Sequence, residues 1–265
     1  MLALKKRSLS TFALLSFIFV GIFFIWEELF FGILFGIACL GFYEIWKISD
    51  SKMTWKSFGV ACVIGAFFMR SGLAWSLILT IILIQSFFLF YLYDRNSLKG
   101  AFSLLTSQVL SFLYVFCFAK AVWHTKLLYG GEFWLVWVIL TVKFGDISAY
   151  LVGSKWGKNK LHAVLSPAKT WEGSFANLLT SIVVGPLIWG LFYPKELSFL
   201  AVFLLSIGVN VLGQLGDLWE SMLKRDYGVK DSGKWIPGMG GVLDVVDSLA
   251  FSFPLVCIVL EGVVT

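Results

Sequence analysis

The chain has 265 residues, of which 59% are hydrophobic and only 14% charged, with a mean hydropathy of +0.88. A water-soluble domain carries about a quarter charged residues, so this composition excludes a conventional soluble fold. The net charge of +5 does not indicate nucleic acid, because the basic residues lie in short loops between apolar runs, as membrane topology requires.

Apolar segments fall at about 9–26, 29–46, 57–69, 73–93, 101–119, 133–151, 174–193, 198–219 and 241–260, most of them near the roughly 20 residues that a helix needs to cross a bilayer. The first follows Lys5-Lys6-Arg7 without a small-x-small cleavage site and is read as a retained helix. The third is short and is expected to be tilted or partly re-entrant. The predicted fold is therefore an all-α polytopic transmembrane bundle of about nine membrane helices, N-terminus cytoplasmic. It is organised as N-terminal helices over 1–130 and a C-terminal catalytic region over 131–265 within one integrated membrane domain.

The loops test this topology. With the N-terminus inside, the inner loops receive 16 of the 21 basic residues: Lys5, Lys6 and Arg7; Lys47, Lys52 and Lys56; Arg95 and Lys99; Lys155, Lys158, Lys160 and Lys169; Lys224, Arg225, Lys230 and Lys234. The outer loops receive Arg70, Lys120, Lys126 and Lys195, and Lys143 lies within the sixth segment. That asymmetry is the positive-inside pattern. Cys39, Cys62, Cys117 and Cys257 all sit in apolar segments and read as buried hydrophobes. His124 and His162 read as surface residues.

Ionisable residues continue from two inner loops into the adjoining spans: Lys143 and Asp146, Asp217 and Glu220, Asp244 and Asp247. A charge in a span costs about 2.5–3.5 kcal/mol at mid-depth, and short aspartates are poorly relieved by snorkelling. Asp244 and Asp247 are three apart and share a helix face. Asp217 ends the preceding span, so the three carboxylates are expected to form a hard-cation site suited to magnesium and phosphate oxygens. The alternative is solvated helix-end charges or ion pairs with Lys224 and Arg225.

Two loops supply anion-binding features. In Ser166-Pro167-Ala168-Lys169-Thr170-Trp171-Glu172, Ser166 is expected to cap a helix beginning at Pro167. Its free N–H groups, with Lys169 and Thr170, suit phosphate; an ordinary capped helix fits as well. The loop Lys224–Lys234, followed by Pro237-Gly238-Met239-Gly240-Gly241, combines basic residues with glycines that permit close backbone approach to an anion.

These residues resemble the signature of the phosphatidate cytidylyltransferases, the CDP-diacylglycerol synthases. The matching elements are Asp146 through Gly153, Leu165 through Gly173, Gly216-Asp217, Lys224-Arg225, Lys230-Asp231, Pro237 through Gly241, and Asp244…Asp247. Two positions depart from the family pattern: Met239 stands where histidine is usual, and Val245 where arginine is usual. The resemblance implies CTP and phosphatidate as substrates, giving CDP-diacylglycerol and pyrophosphate in phospholipid biosynthesis. It also implies Mg2+, with a second cation such as K+, a cell inner membrane location with the site facing the cytoplasm, surrounding membrane lipids, and a homodimer.

In that expectation Asp217, Asp244 and Asp247 hold metal. Lys224 and Arg225 grip phosphate, and Ser221 hydrogen-bonds within the site. Ser166, Lys169, Thr170, Lys230 and Asp231 contact substrate, and Asp146 and Glu172 orient lysines or a second cation. The competing class is a cation-coupled membrane transporter, which also uses intramembrane carboxylates. It is disfavoured because the charges gather at one membrane face and no inverted repeat is visible. The D-G-x2-A-R motif of the CDP-alcohol phosphotransferases is absent.

Overall fold

The computed structural model describes residues 18–49, 55–94, 101–192, 197–238 and 240–264. The basic residues Lys5, Lys6, Arg7, Lys52, Arg95, Lys99 and Lys195, the first half of the first apolar segment, and Met239 lie outside the described residues. The main helices are α1 (Glu27–Ile48), α2 (Trp55–Arg70), α3 (Leu73–Asp94), α4 (Ala101–Leu127), α5 (Gly131–Trp156), α6 (Trp171–Phe192), α7 (Phe199–Asp226), a single turn α8 (Leu243–Val246) and α9 (Ser252–Val264). Helices α1, α4, α5, α6 and α7 are long and apolar enough to cross a membrane, and shorter apolar stretches lie in α3 and α9. The chain is thus a nearly all-helical, membrane-embedded protein.

Burial follows the logic of lipid rather than water. On α6 the exposed residues Phe175, Leu179, Val183, Leu187 and Leu191 recur every four positions, which makes a continuous apolar stripe for acyl chains. The opposite face is small and polar. Lipid tails are as apolar as leucine, so helices in a bilayer associate through close packing and hydrogen bonds rather than hydrophobic expulsion. Gly145 on α5 illustrates this. A Cβ there would collide with Asn177 of α6, so the absent side chain is what lets α5 and α6 lie together. Trp137 of α5 donates its indole N–H to the Gly185 carbonyl of α6 at 2.8 Å. In the N-terminal half, the rings of Phe42, Phe68, Phe112 and Phe116 interlock across α1, α2 and α4, with each such contact contributing about 0.5–1.5 kcal/mol.

Two expectations are corrected here. Ser166 does not cap a helix. Residues Ser166–Thr170 form strand β2, paired antiparallel with β1 (Lys160–His162). Proline disfavours helical backbone in the residue before it, so Ser166 is extended and Pro167 continues the strand. The cap is one turn later: Thr170 Oγ1 accepts the Gly173 N–H at 3.2 Å, and α6 begins at Trp171. The fold is therefore not purely α.

The ninth apolar segment is not one helix either. It divides into α8, a bent turn at 247–251, and α9. Side chains compete for the helical backbone there. Asp247 accepts the N–H of Ser248 at 2.6 Å, and the Ser252 hydroxyl donates to the Ser248 carbonyl at 3.0 Å.

The bent turn lies against α7 because α7 presents glycine to it. A Cβ on Gly216 would come 2.5 Å from the Asp247 carbonyl oxygen. That close approach sets Asp217 beside Asp247.

Candidate active site

One face of α7 carries Asp217, Glu220 and Lys224, spaced three and four residues apart as helical neighbours are. Opposite it run Asp244 and Asp247, at the start and end of one turn. The two rows are antiparallel, so Lys224 faces Asp244 and Asp217 faces Asp247. This register creates two groups with different chemistry.

The first group is a closed ion cluster. Lys224 Nζ contacts Asp244 Oδ1 at 2.6 Å and pairs with Glu220. Asp244 Oδ2 accepts the N–H of Ser232 at 2.9 Å, the hydroxyl of Ser232 at 2.9 Å and the N–H of Gly241 at 2.7 Å. Burial raises the Asp244 carboxyl, but Lys224 and the two backbone N–H groups outweigh it and hold the group below its usual range. Glu220 is fully buried; its contact with Lys224 is an ion pair, and neither of its oxygens makes a well-formed hydrogen bond.

The second group is open and acidic. Asp217 and Asp247 lie within electrostatic reach of each other, and burial together with the Asp217 charge pushes the Asp247 carboxyl up to about 7, partly offset by Lys143. Lys169, projecting from β2, contacts Asp217 Oδ2 at 2.6 Å. Lys143 contacts Asp146 at 3.4 Å and Ser248 Oγ at 2.9 Å. Ser248 Oγ also donates to Asp146 at 3.2 Å.

The three carboxylates expected to converge on a metal are thus not gathered into one ligand set. Among the described residues no group of three or more His, Cys, Asp or Glu side chains has that arrangement. Asp244 is occupied by its own loop and Lys224. Asp217 and Asp247 do fit a hard cation: two neighbouring carboxylates offer oxygen ligands, and a divalent ion between them balances their charge.

Other expected residues divide in the same way. Asp146 and Lys169 join the open group. Thr170 caps α6, and Ser166 is held in β2. Ser221 lies half-buried one turn beyond Asp217. Glu172 braces the hairpin rather than a lysine, accepting from the Asn159 amide group at 2.9 Å. Arg225 donates to the Val229 carbonyl at 2.9 Å on the exposed end of α7, and Lys230 and Asp231 are exposed. His124, expected at the surface, instead links Glu261 and the Met69 carbonyl, each at 3.2 Å.

Sequence reasoning missed Glu44. It is 1% exposed near the end of α1 and accepts from Ser232 Oγ at 2.9 Å, Val242 N–H at 2.8 Å and Leu243 N–H at 3.0 Å. A glutamate inside an otherwise apolar span was the available signal. Sequence reasoning also missed Tyr114, whose buried hydroxyl lies within electrostatic reach of Asp247, Glu220 and Asp217 while its ring stacks on Trp219 at 4.2 Å. The third omission is a buried ladder that continues from Asp146. Asn177 donates to Asp146 at 3.4 Å, Asn210 bonds Asn177 and Ser181, and Gln214 donates to Asn210 at 2.7 Å.

Residues 5–263 match the model of the cytidylyltransferase family. Curated relatives include a phosphatidate cytidylyltransferase of Staphylococcus epidermidis, 44% identical over 130 residues. Those of Staphylococcus haemolyticus and Staphylococcus aureus are 42% identical over the same length. Each match covers 49% of this chain and 50% of the relative, so the chain spans about half the length of the curated relatives it matches. With the family model extending over nearly every residue, the chain belongs to the cytidylyltransferase family.

Proposed function

We propose that the protein is a phosphatidate cytidylyltransferase that transfers CMP from CTP to phosphatidate, releasing pyrophosphate and forming CDP-diacylglycerol. The observation that carries this reading is the open acidic group itself. Asp217 and Asp247 face each other beside Lys169 and Lys143 at one end of a membrane bundle. The names of the relatives supply the substrates.

The reaction asks for positioning and charge neutralisation. A phosphate oxygen of phosphatidate attacks the α-phosphorus of CTP, the bond from that phosphorus to the β-phosphate bridge breaks, and pyrophosphate leaves. Little covalent chemistry falls to the protein. Asp217 and Asp247 would hold magnesium, whose role is to neutralise the triphosphate as pyrophosphate forms. Lys169, which pairs with Asp217, would be the cation nearest the site for binding phosphate. Lys143 holds Asp146 and Ser248 and fixes the turn that carries Asp247. Arg225, Lys230 and Lys234 line the water side, where CTP arrives.

The nine-crossing topology belongs to the same proposal, with the ninth crossing carried by α9, the N-terminus in the cytoplasm and the site at the cytoplasmic face of the cell inner membrane. The concentration of basic residues on that side supports it.

The test is product analysis with purified protein, CTP, phosphatidate and magnesium in detergent. Equal amounts of CDP-diacylglycerol and pyrophosphate are expected, and Asp217→Asn should lower the rate by about 10²–10³-fold, the scale on which removing a transition-state charge contact acts. A folded wild-type protein that makes no CDP-diacylglycerol would overturn the assignment.

A further inference from the structure

The glycines around 233–241 read in sequence as room for a phosphate. In the structure the anion they approach is the protein's own. A Cβ on Gly241 would overlap both carboxylate oxygens of Glu44, and one on Gly233 would lie 2.6 Å from Oε1. Both glycines leave space for a side chain that comes from α1, far away in the chain.

We infer that Glu44 is a positioning residue that locks the 232–243 loop to α1 and thereby sets Asp247 in register with Asp217. The N-terminal N–H groups of a helix need acceptors, and α8 is too short to recruit them by itself. Glu44 takes those of Val242 and Leu243, and Asp244 takes that of Gly241. Ser232 ties the two carboxylates together, its hydroxyl lying 2.9 Å from each.

Once α8 is held in this way, its single turn leads directly to Asp247. Nothing in this chain of contacts touches the reacting atoms, so Glu44 acts through Asp247. Its role in turnover rests on the cytidylyl-transfer reading; its role as a clamp does not.

Glu44→Gln keeps the shape and turns one acceptor into a donor that faces N–H groups. In the metal-free protein, amide hydrogen exchange at Val242 and Leu243 should accelerate. In the turnover assay, the magnesium concentration for half-maximal rate should rise about 10–100-fold, the usual cost of losing a group that orients metal ligands. A role limited to folding would reduce the amount of active protein without moving that concentration.

Should Glu44→Gln not survive extraction, Ser232→Ala removes one donor and is measured in the same two ways, with smaller shifts expected. Unchanged exchange together with unchanged magnesium dependence in either folded variant would overturn the inference. Loss of protection in a protein whose wild type makes no CDP-diacylglycerol would retain the clamp and remove only the reaction.

Discussion

The two ends of the bundle both carry ionisable groups and use them in opposite ways. At the end away from the site, the cations are matched within their own neighbourhood. Lys126 pairs with Glu132 at 2.8 Å and bonds the Ile22 carbonyl. Lys120 donates to the Ser71 carbonyl at 2.5 Å. Arg70 pairs with Glu28 and lies 4.1 Å over the Phe31 ring. These contacts join helix ends and give each of these cations a carboxylate, carbonyl, hydroxyl or ring partner.

At the site end, Glu44, Asp146, Asp217, Glu220, Asp244 and Asp247 confront Lys143, Lys169 and Lys224. Six carboxylates meet three lysines there, and Asp247, beside Asp217, makes no ion pair of its own among the described residues. A buried charge that is satisfied staples a fold; one left in surplus marks the place where a ligand brings the balance.

The comparison can be broken most forcefully at Asp244, which the closed cluster uses as a staple although its neighbour Asp247 lies in the open group proposed to hold the cation. Asp244→Asn leaves Lys224 and Glu220 in a buried cluster that has lost one partner. It should cost about 3–5 kcal/mol in stability, seen as a lower denaturation midpoint of the detergent-solubilised protein. A variant as stable as wild type but inactive would move Asp244 into the open group.

The next effect concerns protons. Because burial and Asp217 raise Asp247 to about 7, the group is partly protonated near neutrality. A cation placed between the two carboxylates should displace that proton. Magnesium binding near pH 7 should therefore release up to one proton, measurable by calorimetry in buffers of different ionisation heat. Release should vanish well above pH 7, where the carboxylate is already ionised, and in Asp247→Asn. Proton-independent binding near pH 7 would place the cation elsewhere.

The smallest effect belongs to the far end. Glu28→Gln removes the partner of Arg70 at an exposed position and should change stability by less than about 1 kcal/mol, with turnover unaltered. A large loss of activity would show that the two ends are coupled.

Much of the fold was legible because hydropathy is a local property. The boundaries of α1 through α7 follow the apolar runs to within several residues, and the charges of the candidate site were visible as exceptions within those runs. The local reading failed where two local signals competed. Ser166-Pro167 is both a helix start and an extended dipeptide, and pairing with β1 decided for the strand. The ninth run is apolar enough for one helix, yet Asp247 and Ser252 divert its backbone.

At the site, the pairing of Asp217 with Asp247 was foreseeable from their ends of adjacent spans. The pairing of Asp244 with Lys224 was open as the alternative to metal binding, but its capture by Ser232 and Gly241 was not foreseeable, since each is an unremarkable loop residue by sequence.

From its residues alone this protein could be read as membrane-embedded, with basic residues concentrated in particular loops and with acidic and basic residues gathered at the ends of particular spans. Each of these follows from the solvation of individual segments, which needs no knowledge of what they touch. Which carboxylate is free and which is bound was decided only when the helices packed. Glu44 meets Ser232 across 188 residues of chain, and burial makes a charge's behaviour depend on the partners the packed helices place beside it.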